Sequence, residues 1–260
     1  MQEQTLAELI AEGDAVPVEG WDFSWFEGRA TEERPPWGYS RLIAERLRHA
    51  EAVLDIQTGG GEVTAGALSS ARGVASRTPA VVAATESWPP NVEIARRNLA
   101  PFGGTVAQVD DEAPLPFGSG AFDLVISRHP TDIVWPEIAR VLTPGGTYLS
   151  QQVGSGTNRE LYEFMMGPQP ADDSRSTAVT VADAEAAGLE VTDLREQATR
   201  VEFFDVAAVV YFLRKVLWTV PGFTSAGYAE PLARMHEHIR ANGSFACHSQ
   251  RFLIEARKPS

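Results

Sequence analysis

The stretch Val53–Glu62, a short apolar run that ends in consecutive glycines, constrains the fold of this chain more than any other. Such a run is typical of a buried strand, and the glycines indicate a tight turn from which a helix leaves. Gly59 and Gly61 lack Cβ atoms, so a ligand can approach the backbone while the first amides of the helix offer donors. A phosphate-binding loop would place a lysine after the glycines, and none is present. The pattern favours a ligand-binding turn, with a plain tight turn as its alternative.

The charge balance limits the classes of molecule that this protein is expected to bind. Lys and Arg total 22 against 35 Asp and Glu, so the net charge is −13. A surface this acidic repels phosphate backbones unless a local basic patch overrides it, so nucleic acid is a disfavoured substrate. The most apolar segment, Val206–Val220, is interrupted by Arg214 and Lys215, so no membrane span is predicted.

The cysteine and histidine content bears on location and on metals. Cys247 is the single cysteine, which excludes an intrachain disulfide or a cysteine cluster and suits a reducing compartment. His236 and His238 are two apart on a predicted helix and point in different directions, so we predict no metal site. The first residues lack the basic and apolar regions of a signal peptide, so a cytoplasmic protein is expected.

Strands and helices alternate after the glycine turn. A helix over 63–70 leads to a buried strand over 80–86, which ends in Glu86, 25 positions after Gly61. An acidic residue at this point can hydrogen-bond both ribose hydroxyls of a nucleoside. Trp88 follows, and Asn91 is predicted to cap the next helix. The spacing therefore indicates a nucleoside site beside the turn.

Three further motifs follow in order. A short strand over 105–109 ends in Asp110 and Asp111, and Leu115–Ile126 reads Leu-Pro-Phe, then Phe-Asp, then a buried strand. A helix and a Pro-Gly-Gly turn over 137–146 precede a strand over 147–153. Together with the glycine turn, these motifs over Leu54–Gln152 resemble the class I S-adenosylmethionine (SAM)-dependent methyltransferases. One position departs from the pattern, because Gln57 stands where that family usually carries its first glycine.

The resemblance implies a fold and a cofactor. The expected fold is α/β, a Rossmann-like doubly wound sheet of seven mostly parallel strands with an antiparallel last strand, plus helical lid elements. The expected cofactor is S-adenosyl-L-methionine, with S-adenosyl-L-homocysteine as product. We expect one methyltransferase domain over 1–260: an aromatic lid or cap over 1–49, a SAM-binding core over 50–155, and a C-terminal half over 156–260. That last part carries a helical insertion at about 205–243.

The resemblance also assigns cofactor contacts. In the family, an apolar side chain just past the ribose carboxylate packs on the adenine, which points to Trp88, although a surface ring is an equal alternative. A carboxylate after the third strand accepts from the adenine amino group, and Asp110 fits that position better than Asp111. The predicted cofactor-binding residues are Asp55, Gln57, Thr58, Gly59, Gly61, Glu86, Trp88, Asp110, Asp111 and Arg128.

The acceptor end is predicted at Ser127-Arg128-His129-Pro130, where the fourth core strand ends. His129 is a candidate general base, with a structural hydrogen-bonding role as the alternative. Arg128 is a second catalytic candidate and could bind a substrate carboxylate or phosphate. The predicted substrate contacts are Trp37, Tyr39, His129, Gln152, Tyr211 and Arg214, and simple packing is the alternative for the last two. The aromatic stretch Gly20–Phe26 is either a packed cap or a lid that excludes water.

The predicted function is methyl transfer to an oxygen or nitrogen of a small-molecule acceptor, such as a secondary metabolite. The Asn/Asp-Pro-Pro-aromatic motif of exocyclic-amine methyltransferases is absent from the fourth strand, which together with the charge favours a small molecule. The alternatives are a ribosomal or transfer-RNA base methyltransferase, and a SAM-fold protein that has lost transfer and acts as a binding or scaffold module. The sequence leaves monomer and homodimer open.

Overall fold

The computed structural model describes residues 4–18, 23–72 and 79–260 as an α/β structure. Eight strands are found in this part of the chain: β1 Ala30–Glu32, β2 Ala52–Ile56, β3 Val81–Glu86, β4 Thr105–Gln108, β5 Phe122–Arg128, β6 Leu142–Val153, β7 Glu190–Phe203 and β8 Phe245–Arg257. The α-helices are α1 Leu6–Ala15, α2 Tyr39–Leu47, α3 Glu62–Arg72, α4 Pro89–Leu99, α5 Trp135–Val141, α6 Arg159–Met166, α7 Thr177–Ala186, α8 Val206–Lys215 and α9 Ala229–Asn242. Short 3-10 turns cover Ser24–Phe26 and Ala100–Phe102.

The strands form one sheet in the order β1-β7-β8-β6-β5-β2-β3-β4. The pairs β2–β3, β2–β5, β3–β4 and β5–β6 are parallel, whereas β8 runs antiparallel to β6. The predicted Rossmann-like fold is therefore confirmed, including the antiparallel last strand. The sheet has one strand more than the predicted seven, because β1 adds a short antiparallel edge beside β7. Three residues are too few to show an alternating pattern, so the sequence did not reveal β1.

The central strand β2 explains why the glycine turn follows an apolar run. β2 lies between β3 and β5, so both of its faces are covered. Val53 packs with α2, α3 and α4 on one face, and Leu54 packs with α5 on the other. A parallel strand buried on both faces requires a continuous apolar run, as the sequence has. Its carboxyl end carries Asp55 into the protein interior.

Two compact units are distinguished by their internal contacts. The first comprises Met1–Arg34, Ser155–Asp173 and Ala198–Gln250. Its core includes the apolar stripe of α8, and Gly13 of α1 lies so close to α8 that an added Cβ would meet the Ala207 carbonyl oxygen at 2.6 Å. Trp25 packs edge-on against Tyr211 with ring centroids 5.0 Å apart. This contact places part of the aromatic segment in a packed core, while Gly20, Trp21 and Asp22 lie outside the described residues.

The second unit comprises Pro35–Gly154, Ser174–Gln197 and Arg251–Ser260. It contains the parallel strands β2 to β6, together with helices α2 to α5 and α7. Every predicted cofactor-binding residue falls within this unit. The carboxyl ends of its parallel strands meet at one edge of the sheet, where open α/β sheets bind ligands.

Helix starts are the local feature that the sequence placed least well. The prediction that Asn91 caps its helix was wrong, because α4 begins at Pro89 and its N-cap is Trp88. Proline suits the first turn of a helix, since its fixed φ is helical and the missing N–H has no partner there. Helix α7 begins at Thr177, where the Ser176 side chain accepts from the Val179 amide. At the start of α1, Thr5 and Glu8 form a capping box.

Candidate functional site

The turn between β2 and α3 leaves open space above its backbone. Gly59 and Gly61 both have positive φ, at 63° and 75°. A Cβ built on Gly61 would contact Ala95 of α4 at 3.4 Å, so this glycine lets α3 and α4 approach. A Cβ built on Gly59 would meet no atom of the described residues within 4 Å. The backbone at Gly59 therefore has open space beside it.

Glu86, at the end of β3, is tied directly to this turn. Its side chain is only 7% exposed. One carboxylate oxygen accepts from the Gly59 amide at 2.7 Å, and the other accepts from the Trp88 amide at 3.0 Å. Each oxygen keeps a further lone pair, so the carboxylate can also accept from two hydroxyl groups. A carboxylate with this geometry could accept from the hydroxyls of a ribose.

The buried Asp55 side chain accepts hydrogen bonds from residues of the turn and of α3. It is 5% exposed, and one of its oxygens accepts from the hydroxyls of Thr58 and Thr64, each at 2.5 Å. Burial raises the pKa of Asp55 to about 6, although the hydrogen bonds from both threonines oppose this shift. The negative charge of Glu86 adds to the increase. Asp55 thus holds the Thr58 side chain, which follows it three positions later in the motif.

Gln57 adopts a left-handed conformation, with φ of 54°, where the resembling family has glycine. Its amide nitrogen donates to the Asp132 carbonyl at 2.8 Å, and its amide oxygen accepts from the Thr131 amide at 2.7 Å. The Thr131 hydroxyl also donates to Asp111 at 2.8 Å. Gln57 therefore joins the glycine turn to the loop after β5. The sequence showed the departure at 57 but gave no signal for this bridge.

His129 follows β5 and has a positive φ of 54°. Its amide donates to the Gln151 carbonyl at 2.7 Å, and its Nε2 lies 2.9 Å from the Gln151 amide nitrogen. The Gln151 amide oxygen accepts from the Trp37 indole at 2.8 Å. Burial lowers the pKa of His129 to about 3, and the charges of Arg251 and Arg128 act in the same direction. His129 is therefore neutral at any physiological pH.

The remaining predicted residues differ in how far they are buried. Tyr39 is buried and donates its hydroxyl to the Ser127 carbonyl at 2.5 Å, and burial raises the pKa of this phenol well above its usual value. Gln152 is 4% exposed, and its amide nitrogen has no hydrogen-bond partner among the described residues. Asp110 is exposed, as is Arg128, and Trp88 is 38% exposed.

Two predicted substrate contacts lie in the first unit. Tyr211 packs against Trp25 and Phe26. Arg214 donates to the carbonyl oxygens of Gly13 and Val16 at 2.7 and 2.9 Å. Both side chains thus have structural contacts within that unit, as the packing alternative expects.

Residues 4–18, 23–72 and 79–260 contain neither a cluster of metal ligands nor a membrane-spanning helix. No group of three or more His, Cys, Asp or Glu side chains is arranged to hold a metal ion. None of the helices combines the length and the apolar character that crossing a bilayer requires.

Known proteins share this fold and its central segment. Residues 54–150 match the family model described as "Methyltransferase domain". None of the curated protein sequences matches the chain.

Solved structures resemble most of the chain. A candidate methyltransferase from Bacillus halodurans C-125 has 19% identity and a TM-score of 0.55, and the alignment covers 84% of this chain and 99% of that one. The YcgJ protein of Bacillus subtilis has 18% identity and a TM-score of 0.59, covering 85% and 98%. A candidate sarcosine dimethylglycine methyltransferase from Galdieria sulphuraria has 16% identity and a TM-score of 0.51, covering 85% of each chain. At these identities the similarity shows the fold.

Residues 54–150 carry the match to a methyltransferase domain, and the solved structures show the fold. Both findings agree with the resemblance to the class I SAM-dependent methyltransferases that the sequence predicts. This family uses SAM, the cofactor that the sequence predicts.

Proposed function

We propose that this protein is a SAM-dependent methyltransferase that transfers a methyl group to an oxygen or nitrogen of a small-molecule acceptor. The observation that carries the proposal is the buried Glu86 carboxylate, held by the amides of Gly59 and Trp88 beside an open stretch of backbone. The hydroxyls of a ribose need a hydrogen-bond acceptor and open space beside it. A buried carboxylate with free lone pairs next to an open backbone supplies both.

The proposed cofactor contacts follow from these positions. Glu86 would accept from the ribose hydroxyls, and the backbone at Gly59 would lie beneath the nucleoside. Trp88 is exposed enough to pack on the adenine, and the exposed Asp110 would accept from the adenine amino group. Asp55 and Thr58 would hold the turn in shape, because their hydrogen bond lies within the turn itself.

SAM supplies a methyl group that is already activated by its sulfonium. The protein therefore has to orient the acceptor nucleophile and accommodate its proton. We propose that the acceptor lies near Arg128 and His129, at the carboxyl end of β5. Because His129 has a pKa of about 3, it is a weak proton acceptor at neutral pH, and we assign it no general-base role.

A small molecule is favoured over RNA on electrostatic grounds. The net charge of −13 opposes the approach of a phosphate backbone. We further propose that the protein acts in the cytoplasm, because its single cysteine suits a reducing compartment. Titration with a mixed transfer-RNA and ribosomal-RNA pool at low and high salt tests the RNA alternative, which predicts tight binding that salt weakens steeply.

Calorimetry with S-adenosyl-L-homocysteine tests the cofactor site. A charge-assisted hydrogen bond contributes about 1.5–3 kcal/mol, so Glu86→Gln should weaken binding by about 10- to 100-fold. Glu93→Gln is the matched control, because Glu93 is an exposed glutamate on α4, and it should bind like the wild type. Absence of binding, or equal binding by both variants, would contradict the proposal. Labelled SAM incubated with a host extract then distinguishes an enzyme from a binding module, which would label no acceptor.

A further inference from the structure

The chain Trp37–Gln151–His129 fixes where the His129 ring carries its proton. An indole N–H can only donate, so the Gln151 atom 2.8 Å from it must be the amide oxygen. The Gln151 NH₂ group then faces His129, and an NH₂ group also can only donate. The Nε2 atom of His129 must therefore accept, through its lone pair.

This arrangement makes His129 a hydrogen-bond donor. In a neutral imidazole one nitrogen accepts and the other carries hydrogen, so Nδ1 must be the N–H. Within the described part of the chain, Nδ1 has no hydrogen-bond partner, although the side chain is half-buried. A half-buried N–H needs an acceptor, which water or a ligand has to supply.

A cation lies next to this donor. Arg128 immediately precedes His129, its side chain is exposed, and the described residues offer it no ion pair or hydrogen bond. Its positive charge lowers the pKa of both His129 and Tyr39, and the positive charge of Arg251 also lowers the pKa of His129. Among the described residues this guanidinium is unpaired, although the chain as a whole has a net charge of −13.

From this geometry we infer that the acceptor carries a carboxylate, which binds between the Arg128 guanidinium and the His129 Nδ1–H. This inference rests on the proposed function, because it names the substrate class of the same site. The planar fork of Arg128 matches the two oxygens of a carboxylate, and the Nδ1–H of His129 adds a neutral donor. Trp37 and Gln151 are then positioning residues, since they act only through the His129 tautomer.

Nuclear magnetic resonance on the full chain with ¹⁵N-labelled histidine tests the tautomer. The His129 signals are assigned by their loss in His129→Asn. We expect a protonated Nδ1, an unprotonated Nε2 and no change between about pH 5.5 and 8. Trp37→Phe removes the indole donor, so the Gln151 amide can turn and both tautomers should appear. A wild-type ring protonated on Nε2 would overturn the inference.

Binding of three probes to the same sample tests which charge the acceptor carries. Benzoate, benzyl alcohol and phenyl phosphate share a ring and differ in the polar group. Benzoate should shift the His129 Nδ1 signal and bind at least about tenfold more tightly than benzyl alcohol, since a charge-assisted contact exceeds a neutral one. The inference would be overturned if benzyl alcohol bound as tightly as benzoate, if phenyl phosphate bound more tightly than benzoate, or if benzoate did not bind.

Variants of Arg128 complete the test. Arg128→Gln should weaken benzoate binding about tenfold, and Arg128→Lys should restore part of it, because lysine keeps the charge but loses the planar fork. Arg97→Gln removes an exposed arginine of α4 and should behave like the wild type. Equal effects of Arg128→Gln and Arg97→Gln would count against the inference. S-adenosyl-L-homocysteine binding on the same samples reports separately on the proposed function.

Discussion

The buried carboxylate of Asp55 makes protein stability depend on pH in a defined direction. Its pKa is about 6 in the folded protein, against about 3.9 for an unperturbed aspartate. The folded state therefore holds the proton more tightly than the unfolded chain. The stabilisation from this proton is complete below about pH 4 and is lost as the pH rises through about 6.

The magnitude follows from the difference between the two pKa values. About two pKa units at 1.36 kcal/mol per unit give roughly 3 kcal/mol of unfolding free energy lost between about pH 4 and 7. Asp55→Asn cannot ionise, yet its amide oxygen can still accept from Thr58 and Thr64. Between about pH 4 and 7, the unfolding free energy of the variant should therefore rise by up to about 3 kcal/mol relative to that of the wild type. A difference in stability that does not depend on pH leaves this change unaffected.

Urea unfolding followed by circular dichroism, at several values from about pH 4.5 to 7.5, measures this gain. Asp183→Asn is the control, because Asp183 is an exposed aspartate of α7 whose loss leaves the buried carboxylate in place. Its stability curve should run parallel to that of the wild type. If the Asp55→Asn curve is also parallel to the wild type, the raised pKa and the reasoning from burial are refuted.

Three further outcomes are expected. Gly59→Ala should fold, because its Cβ meets open space, but the strain at positive φ should cost about 1 kcal/mol and calorimetry should show at least about tenfold weaker S-adenosyl-L-homocysteine binding. Burial raises the pKa of the Cys247 thiol to about 12, so iodoacetamide should label it about 100-fold more slowly in the native protein than in urea, as followed by mass spectrometry. Thr5→Ala removes the hydroxyl that caps α1 and should lower the unfolding free energy by about 1 kcal/mol in urea titrations; an unchanged midpoint would contradict this.

The features that depend on local pattern could be predicted from the sequence. The apolar run before Asp55 reflects burial of β2 on both faces, and Glu86 was placed by its distance from the glycines. Short elements and helix starts were harder, as β1 and α4 show, because a few residues carry little periodic signal.

The contacts at the proposed acceptor end were not predictable from the sequence pattern. Trp37 and Gln151 are 114 residues apart, and Gln57 reaches a loop 74 residues away. Such contacts depend on which strand ends meet at the sheet edge, and one sequence does not specify side-chain pairs across that distance. His129 was found as a candidate from its position after a strand, but its tautomer required Gln151 and Trp37.

The bridge made by Gln57 has a consequence for how this protein can be altered. The amide of Thr131, two residues beyond His129, is protected by a side chain that belongs to the glycine turn. Replacing Gln57 with glycine would relax the backbone of that turn and at the same time release the loop that follows His129. Hydrogen exchange at Thr131 should then accelerate, so a redesign of the proposed cofactor turn also changes the order of the proposed acceptor end.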